Sequence, residues 1–155
     1  MEELNWKLVK FDDLSVHELY EVLRLRAEVF VIEQNCIYED HDNKDQKCHH
    51  LMGYSKIDGK LIVYSRLVPP GVSYTEPSIG RVLTSLENRK NKYGIALLNK
   101  SIAEITKIYP NTNIRIGAQT YLIRFYNSFG FVEQGEPYDE DGIEHIEMLL
   151  HQSVH

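Results

Sequence analysis

Between Ile79 and Leu98 the chain reads IGRVLTSLENRKNKYGIALL, and this order constrains the fold more than any other stretch. Ile79 to Thr84 reads as a strand, and Ile95, Leu98, Ile102 and Ile105 recur at helical spacing. A strand therefore passes through a basic, glycine-bearing turn into an amphipathic helix. The first N–H groups of a helix lack backbone partners, and its aligned peptide dipoles place partial positive charge at that end. Arg89, Lys90 and Lys92 add whole charges there, and Gly94 lets a ligand approach the backbone closely. The pattern predicts an anion cradle. Three cations before a helix also describe a solvated surface, so the rest of the chain must decide.

The remaining elements follow from periodicity and punctuation. Trp6 to Phe11 alternates as a first strand, and Ser15 with Glu18 forms an S-x-x-E capping box. Leu19, Val22, Leu23, Ala27 and Phe30 then predict an apolar stripe on a helix ending near Ile32. Glu33 to Lys47 reads as loop or short irregular helix. Cys48 to Lys56 and Leu61 to Val68 are strand-like runs joined across Asp58 and Gly59, a hairpin signal. Pro69, Pro70 and Gly71 interrupt the sheet, and Pro110 ends the second helix. Asn113 to Ala118 predicts a buried strand, Tyr121 to Phe129 a short helix, and Gly130 its stop. Phe131 to Gln134 and Ile143 to Leu150 complete the sheet around a turn at Asp141 and Gly142. The order is β-α-loop-β-β-β-α-β-α-β-β, an α/β domain whose helices cover a mixed sheet.

A chain of 155 residues, 43% hydrophobic, suits one compact domain spanning 1–155. A net charge of -6, with no cationic stripe interleaved with aromatics, argues against a nucleic-acid partner. The N-terminal MEELNWKLVK resembles neither a signal peptide nor a membrane span, and two cysteines are too few for a disulfide framework. These features predict a cytoplasmic protein with no membrane partner.

Several motifs together resemble the GNAT acyltransferases. They are the strand before the turn, R-x-x-x-x-G-x-A at Arg89 to Ala96, the strand after it, and R-F-Y-x-S-F-G-F at Arg124 to Phe131. VFVIEQNCIYEDHDNKD at Val29 to Asp45, IGRVLTS at Ile79 to Ser85 and EDGIEHIEM at Glu140 to Met148 resemble the ElaA-type branch of that superfamily. Lys92 stands where the family pattern has glycine. The resemblance implies an acyl-CoA N-acyltransferase fold with splayed central strands and helices on both faces. It further implies acetyl-CoA as cosubstrate, a primary amine as acceptor, direct transfer in a ternary complex, and no metal. A non-catalytic CoA- or metal-binding regulatory module on the same fold is the alternative.

The resemblance also assigns roles. The backbone of Val82, Leu83 and Thr84 would pair with the pantetheine arm and offer an N–H to the thioester oxygen. The amides from Lys90 through Asn91, Lys92, Tyr93 and Gly94 to Ile95, together with Arg89, would hold the pyrophosphate. Gln119 would bond the cofactor arm. Tyr126 would protonate the departing thiolate, since a phenol is neutral at pH 7 and still able to donate; periodicity alone favours a core aromatic beside Phe125 and Phe129. The attacking amine must lose a proton, and among Glu33, Glu39, His50 and His145 the preferred bases are His145 and Glu33.

Other charged and metal-binding residue types carry their own expectations. Arg66 and Arg81 lie in apolar strands and should find carboxylate partners, Asp42 or Asp45. Glu39, Asp40, Asp42 and Asp45 concentrate negative charge on one loop, which predicts a cationic small-molecule or peptide amine. Cys36, His41, Cys48, His49 and His50 are too irregularly spaced for zinc, and Asp40, Asp42 and Asp45 lack the central glycine of a calcium loop. The sequence leaves a homodimer open.

Overall fold

In the computed structural model, which describes residues 3–152, ten principal elements follow in the expected order. They are β1 (Leu4–Lys10), α1 (Val16–Arg26), β2 (His49–Ser55), β3 (Leu61–Val68), β4 (Ser78–Thr84), α2 (Tyr93–Ile108), β5 (Ile114–Gln119), α3 (Ile123–Asn127), β6 (Val132–Glu140) and β7 (Ile143–Leu150). Phe11 leaves the first strand for a 3-10 turn, and the short helix expected from Tyr121 splits into a 3-10 turn at Thr120–Leu122 followed by α3. β6 runs further than Gln134, past Pro137 to Glu140, because it is an outer strand with a register shift between Gln134 and Tyr138 that accommodates the missing N–H.

The strands form two antiparallel sheets, β1-β2-β3-β4 and β5-β7-β6. Among the described residues one backbone bond joins them, from the Arg115 N–H to the Pro77 carbonyl at 3.0 Å. Beyond that joint β4 and β5 belong to separate sheets, and a cleft opens between them. Two apolar clusters cover the first sheet. Leu97, Leu98 and Ile105 of α2 pack with Leu51, Val63 and Leu67, while Val22, Leu25 and Val29 pack with Met52, Tyr64 and Leu83. β3 is buried at every position, as a strand covered on both faces must be.

The capping box starts α1 as expected: the Glu18 N–H donates to Ser15 Oγ at 3.1 Å, and the Ser15 N–H donates to Glu18 Oε1 at 2.8 Å. Its buried face differs from the expected stripe. Val22, Leu25, Arg26 and Val29 face inward, and Leu19, Leu23, Ala27 and Phe30 are only partly covered. Ala27–Glu33 continues the helix as a wider π-helical turn, which carries Glu33 to the cleft. Ile95 was also expected in the core and instead lies 45% exposed at the start of α2.

The reason for the rotated face is an ionic cluster beneath the loop that follows α1. Arg26, fully buried, donates through Nε to Asp40 at 2.8 Å, through Nη1 to Asp45 at 2.8 Å and through Nη2 to the Asp40 carbonyl at 3.1 Å. Arg66 donates to both carboxylate oxygens of Asp42 and to Asp45 at 2.9 Å. Arg81 donates to Asp40 at 2.8 Å and to Asp42 at 3.4 Å. The expected partners of Arg66 are therefore present, Arg81 uses Asp40 as well as Asp42, and Arg26 is an addition that periodicity conceals. Burial alone would raise the Asp42 carboxyl, but hydrogen bonds and charge from Arg66, with Arg81, hold it well below the usual carboxylate range. Asp45 is lowered in the same way against its own burial by Arg26 and Arg66.

α2 begins after Lys92, whose backbone is left-handed at φ 59° and ψ 24°. Its side chain gives no cap to the helix. The glycine of the family pattern is thus explained by backbone geometry, because a residue with a Cβ pays roughly 1–2 kcal/mol in this region.

Three outcomes follow. Arg26→Ala leaves Asp40 and Asp45 buried without their main partner and should lower the unfolding free energy by about 3–5 kcal/mol in urea titration. Because Asp42 and Asp45 are depressed on folding, their stabilisation is complete above the unfolded carboxyl value, near 3.8, and drains as pH falls below it. The melting temperature should therefore drop steeply only below about pH 4, and less steeply in Asp42→Asn. Lys92→Gly should raise the melting temperature by about 2–4 °C, the equivalent of roughly 1 kcal/mol.

Candidate active site

The cleft between β4 and β5 is a cavity of about 700 Å³. Its walls come from the π-helical turn after α1 with the following loop, from the end of β3, from the whole of β4, from the far half of β5, from the first turn of α2, from α3, and from the β6–β7 turn with the start of β7. β4 is the outer strand of its sheet on this side, so its backbone groups facing β5 have no strand partner beyond the Pro77 joint.

β4 is also irregular. Leu83 lies opposite Tyr64 and Gly80 opposite Arg66, so Arg81 and Val82 together face the single residue Ser65. The strand bulges there, with Arg81 at φ 49°. Leu83 and Thr84 return to the ladder, opposite Tyr64 and Val63.

The cradle expected from the sequence lies at the same cavity. Arg89, Thr84 and Gly94 are part of its wall. Lys90, Asn91 and Lys92 are exposed on the short turn before α2, and their side chains are outside the wall. Tyr93 turns its ring into the core, so only its backbone N–H belongs to the helix start. A Cβ on Gly94 would sit 3.7 Å from the Phe125 ring and 3.9 Å from Thr84 Oγ1, on the floor of the cleft. With no side chain of its own, Gly94 brings its backbone to the cavity wall.

Tyr126 lines the cavity from α3, and its hydroxyl makes no hydrogen bond among the described residues. Burial, with Tyr121 nearby, pushes its phenol up to about 12, so it keeps its proton throughout the neutral range. Phe125 and Phe131 pack edge-on against its ring and fix its direction.

His145 sits across the cleft on β7, opposite Gln119 of β5 in the strand register. Its Nδ1 lies 2.8 Å from the Ile143 carbonyl and must donate, because a carbonyl only accepts. Its Nε2 lies 3.3 Å from Glu140 Oε2. The Gln119 amide reaches Gln34 at 3.4 Å. Glu33 lines the cavity, but both its oxygens are held by Arg89, at 2.9 and 2.7 Å, while Arg89 Nε donates to the Thr84 carbonyl at 3.0 Å. Two residues with separate expected roles are here each other's partner.

Other candidates separate from the site. His50 is buried between the Tyr64 hydroxyl at 2.7 Å and the Asp45 carbonyl at 2.9 Å, outside the cavity wall. Cys48 Sγ donates to the Lys44 carbonyl, and Cys36 Sγ donates to the Asp141 carbonyl. Asp40, Asp42 and Asp45 cannot supply the free negative field expected of the loop, because arginines neutralise all three. The carboxylates that do border the cavity beside Glu33 and Asp42 are Glu39, Glu140 and Asp141. Tyr38 and Tyr74, also on the wall, were not legible as site residues; only their place in long loops marked them.

No helix among the described residues is long and apolar enough to cross a membrane. A family model for the acetyltransferase (GNAT) domain matches residues 22–151. A UPF0039 protein of Synechocystis is 44% identical over 96% of this chain and 96% of its own length. Protein ElaA of Escherichia coli is 38% identical over 94% of this chain and 95% of its own. Among solved structures, an acyl-CoA N-acyltransferase from Pseudomonas aeruginosa superposes with a TM-score of 0.89 at 37% identity, covering 95% of this chain and 99% of that one. The E. coli ElaA structure gives 0.87 at 37%, with the same coverage. An aminoglycoside 6′-N-acetyltransferase complexed with coenzyme A shares the fold at 14% identity, with a TM-score of 0.67 and coverage of 92% and 95%. Matched by the family model over residues 22–151 and by relatives along nearly its whole length, the chain belongs to the GNAT acetyltransferase family, in the branch of ElaA.

Proposed function

We propose that the chain is an acetyl-CoA-dependent N-acetyltransferase acting on a primary amine. One observation carries the reading: an unpartnered tyrosine hydroxyl opens into the same cavity as an unpaired strand edge and an uncapped, basic helix start. When bound, acetyl-CoA supplies the activated acetyl group as a thioester.

The residues present suit that ligand. The N–H groups at the start of α2, with Arg89, Lys90 and Lys92 around them, offer a pyrophosphate both hydrogen bonds and charge. The free edge of β4 at Val82 to Thr84 offers an amide-bearing arm the backbone bonds of a missing strand. A backbone N–H at the bulge would meet the negative charge that develops on the carbonyl oxygen, and a donor fixed in advance needs no reorganisation in the transition state. Gln119 contributes a side-chain amide on the opposite wall.

Tyr126 holds a proton at its Oη for the departing sulfur. His145, whose Nδ1 donates to the Ile143 carbonyl, offers its unprotonated Nε2 as the group that takes the amine proton, with Glu33 as the second base once Arg89 turns to phosphate. The acceptor proposed is a small-molecule or peptide amine, cationic in solution, approaching past Glu39, Glu140 and Asp141. Such an approach weakens with salt.

A panel of amines assayed by CoA release tests the reading, with turnover of cationic amines falling as ionic strength rises. CoA binding without turnover of any amine would leave the regulatory module in its place. Tyr126→Phe keeps the ring and removes one hydroxyl that has no hydrogen bond among the described residues. It should keep its melting temperature and CoA affinity and lose about 10²–10⁴ in kcat. A kcat within about threefold of wild type, with chemistry limiting, would remove Tyr126 from proton transfer.

A further inference from the structure

Among the described residues Arg81 is the only non-glycine residue inside a strand with a left-handed backbone. An arginine has no intrinsic preference for that region, so something outside the strand must keep it there. The far end of its side chain provides it. Nε donates to Asp40 Oδ1 at 2.8 Å, Nη2 donates to the Asp40 carbonyl at 3.0 Å and to Asp42 at 3.4 Å, and the guanidinium lies 5.8 Å from the centre of the Tyr38 ring.

The anchor is rigid because Arg26 and Arg66, both buried, hold the same two aspartates from below. The ladder cannot do this work. It fixes Leu83 and Thr84 against Tyr64 and Val63, and Gly80 against Arg66, but leaves Arg81 and Val82 as the unmatched pair.

We propose that Arg81 is a positioning residue: through Asp40 and Asp42 it holds the β4 bulge in the shape that presents the Val82 backbone to the reacting carbonyl. The proposal rests on the acyltransferase reading above. It separates two parts of β4. Leu83 and Thr84, set by the ladder, would serve the cofactor arm, whereas the bulge, set by Arg81, would serve the chemical step. Loss of the anchor should therefore act on kcat and not on CoA affinity, since free CoA carries no acyl oxygen.

The experiment uses the whole chain and the variants Arg81→Lys, Arg81→Gly and Asp40→Asn. Melting, CoA affinity by calorimetry, and kcat and KM with acetyl-CoA and a reactive amine are measured on each. Arg81→Lys keeps a charge without the two-pronged fork. Arg81→Gly accepts the left-handed backbone without strain but has no anchor. Both should bind CoA within about threefold of wild type and lose on the order of 10- to 100-fold in kcat. Asp40→Asn should fall in the same direction, and the Arg81→Gly, Asp40→Asn double variant should lose little more than the worse single, as for two parts of one device.

Wild-type kcat in folded Arg81→Gly would overturn the proposal, because backbone freedom alone would then suffice. A loss confined to the KM of the amine, with Asp40→Asn behaving as wild type, would also overturn it and make Arg81 a direct acceptor contact. Absence of turnover in the wild-type chain would instead overturn the acyltransferase reading, and this proposal with it.

Discussion

Three guanidinium groups and three carboxylates, most of them removed from water, fix the longest segment with little regular secondary structure among the described residues. Between the π-helical turn and β2, the chain from Gln34 to Cys48 has only a 3-10 turn at Asp45–Lys47. Such a segment cannot hold its shape by backbone bonding. It is held by Asp40, Asp42 and Asp45, which reach Arg26 on α1, Arg66 on β3 and Arg81 on β4. Each partner alone would be costly to bury, and the shared contacts make the group tolerable as a set. A cluster of this kind contributes less net stability than its bond count suggests. Its larger effect is geometric, because it ties one wall of the cavity to the sheet from which the cavity opens.

The cleft itself depends on a second set of charges at the point where the sheets meet. Arg115 is the second residue of β5, and its backbone N–H makes the one bond, among the described residues, to Pro77 just before β4. Its side chain donates to Glu76 at 3.0 and 3.1 Å and to Glu147 at 3.1 Å, pinning the segment before β4, β5 and β7 together at one end. At the other end the ionic cluster draws Arg81 aside into the bulge. Held at the joint and bent further on, β4 cannot follow β5, and the gap between them persists as structure. An unpaired strand edge inside a protein is costly unless a ligand or water meets it, which is why this edge lines a cavity and not a core.

The fold was legible in the sequence to the extent that it is written in periodicity and punctuation. The hairpin at Asp58 and Gly59, the capping box at Ser15 and the turn at Asp141 and Gly142 depend on residues adjacent in the chain, and all appear where local rules put them. The buried face of α1 was not legible, because Arg26 reads as solvent-facing until its carboxylates, 14 and 19 residues away, are known. The same holds for the loop acids. As a sequence they are a patch of negative charge; as a structure they are the counter-ions of buried arginines. Of the residues expected at the site, Tyr126, His145 and Gln119 came from motif resemblance and Gly94 from the cradle pattern, and all four line one cavity. Tyr38 and Tyr74 carry no motif and became visible only with the cavity.

The pairing of Arg89 with Glu33 shows how a protein can hold two ligand-facing charges ready without a ligand. The guanidinium and carboxylate make two parallel bonds, a geometry stronger than a single contact, but both side chains are more than a third exposed. Exposed pairs of this kind are worth about 0–1 kcal/mol because water and salt screen them. That is too little to bar a phosphate carrying more than one negative charge, which also gains the N–H groups at the start of α2 that Glu33 does not use. The pair is therefore a resting arrangement compatible with the role proposed for Arg89. Breaking it leaves Glu33 unpaired at the same moment that the other end of the cleft fills. Arg89 would still be fastened by its Nε bond to the Thr84 carbonyl, so its guanidinium has only to turn about that contact to face the helix start.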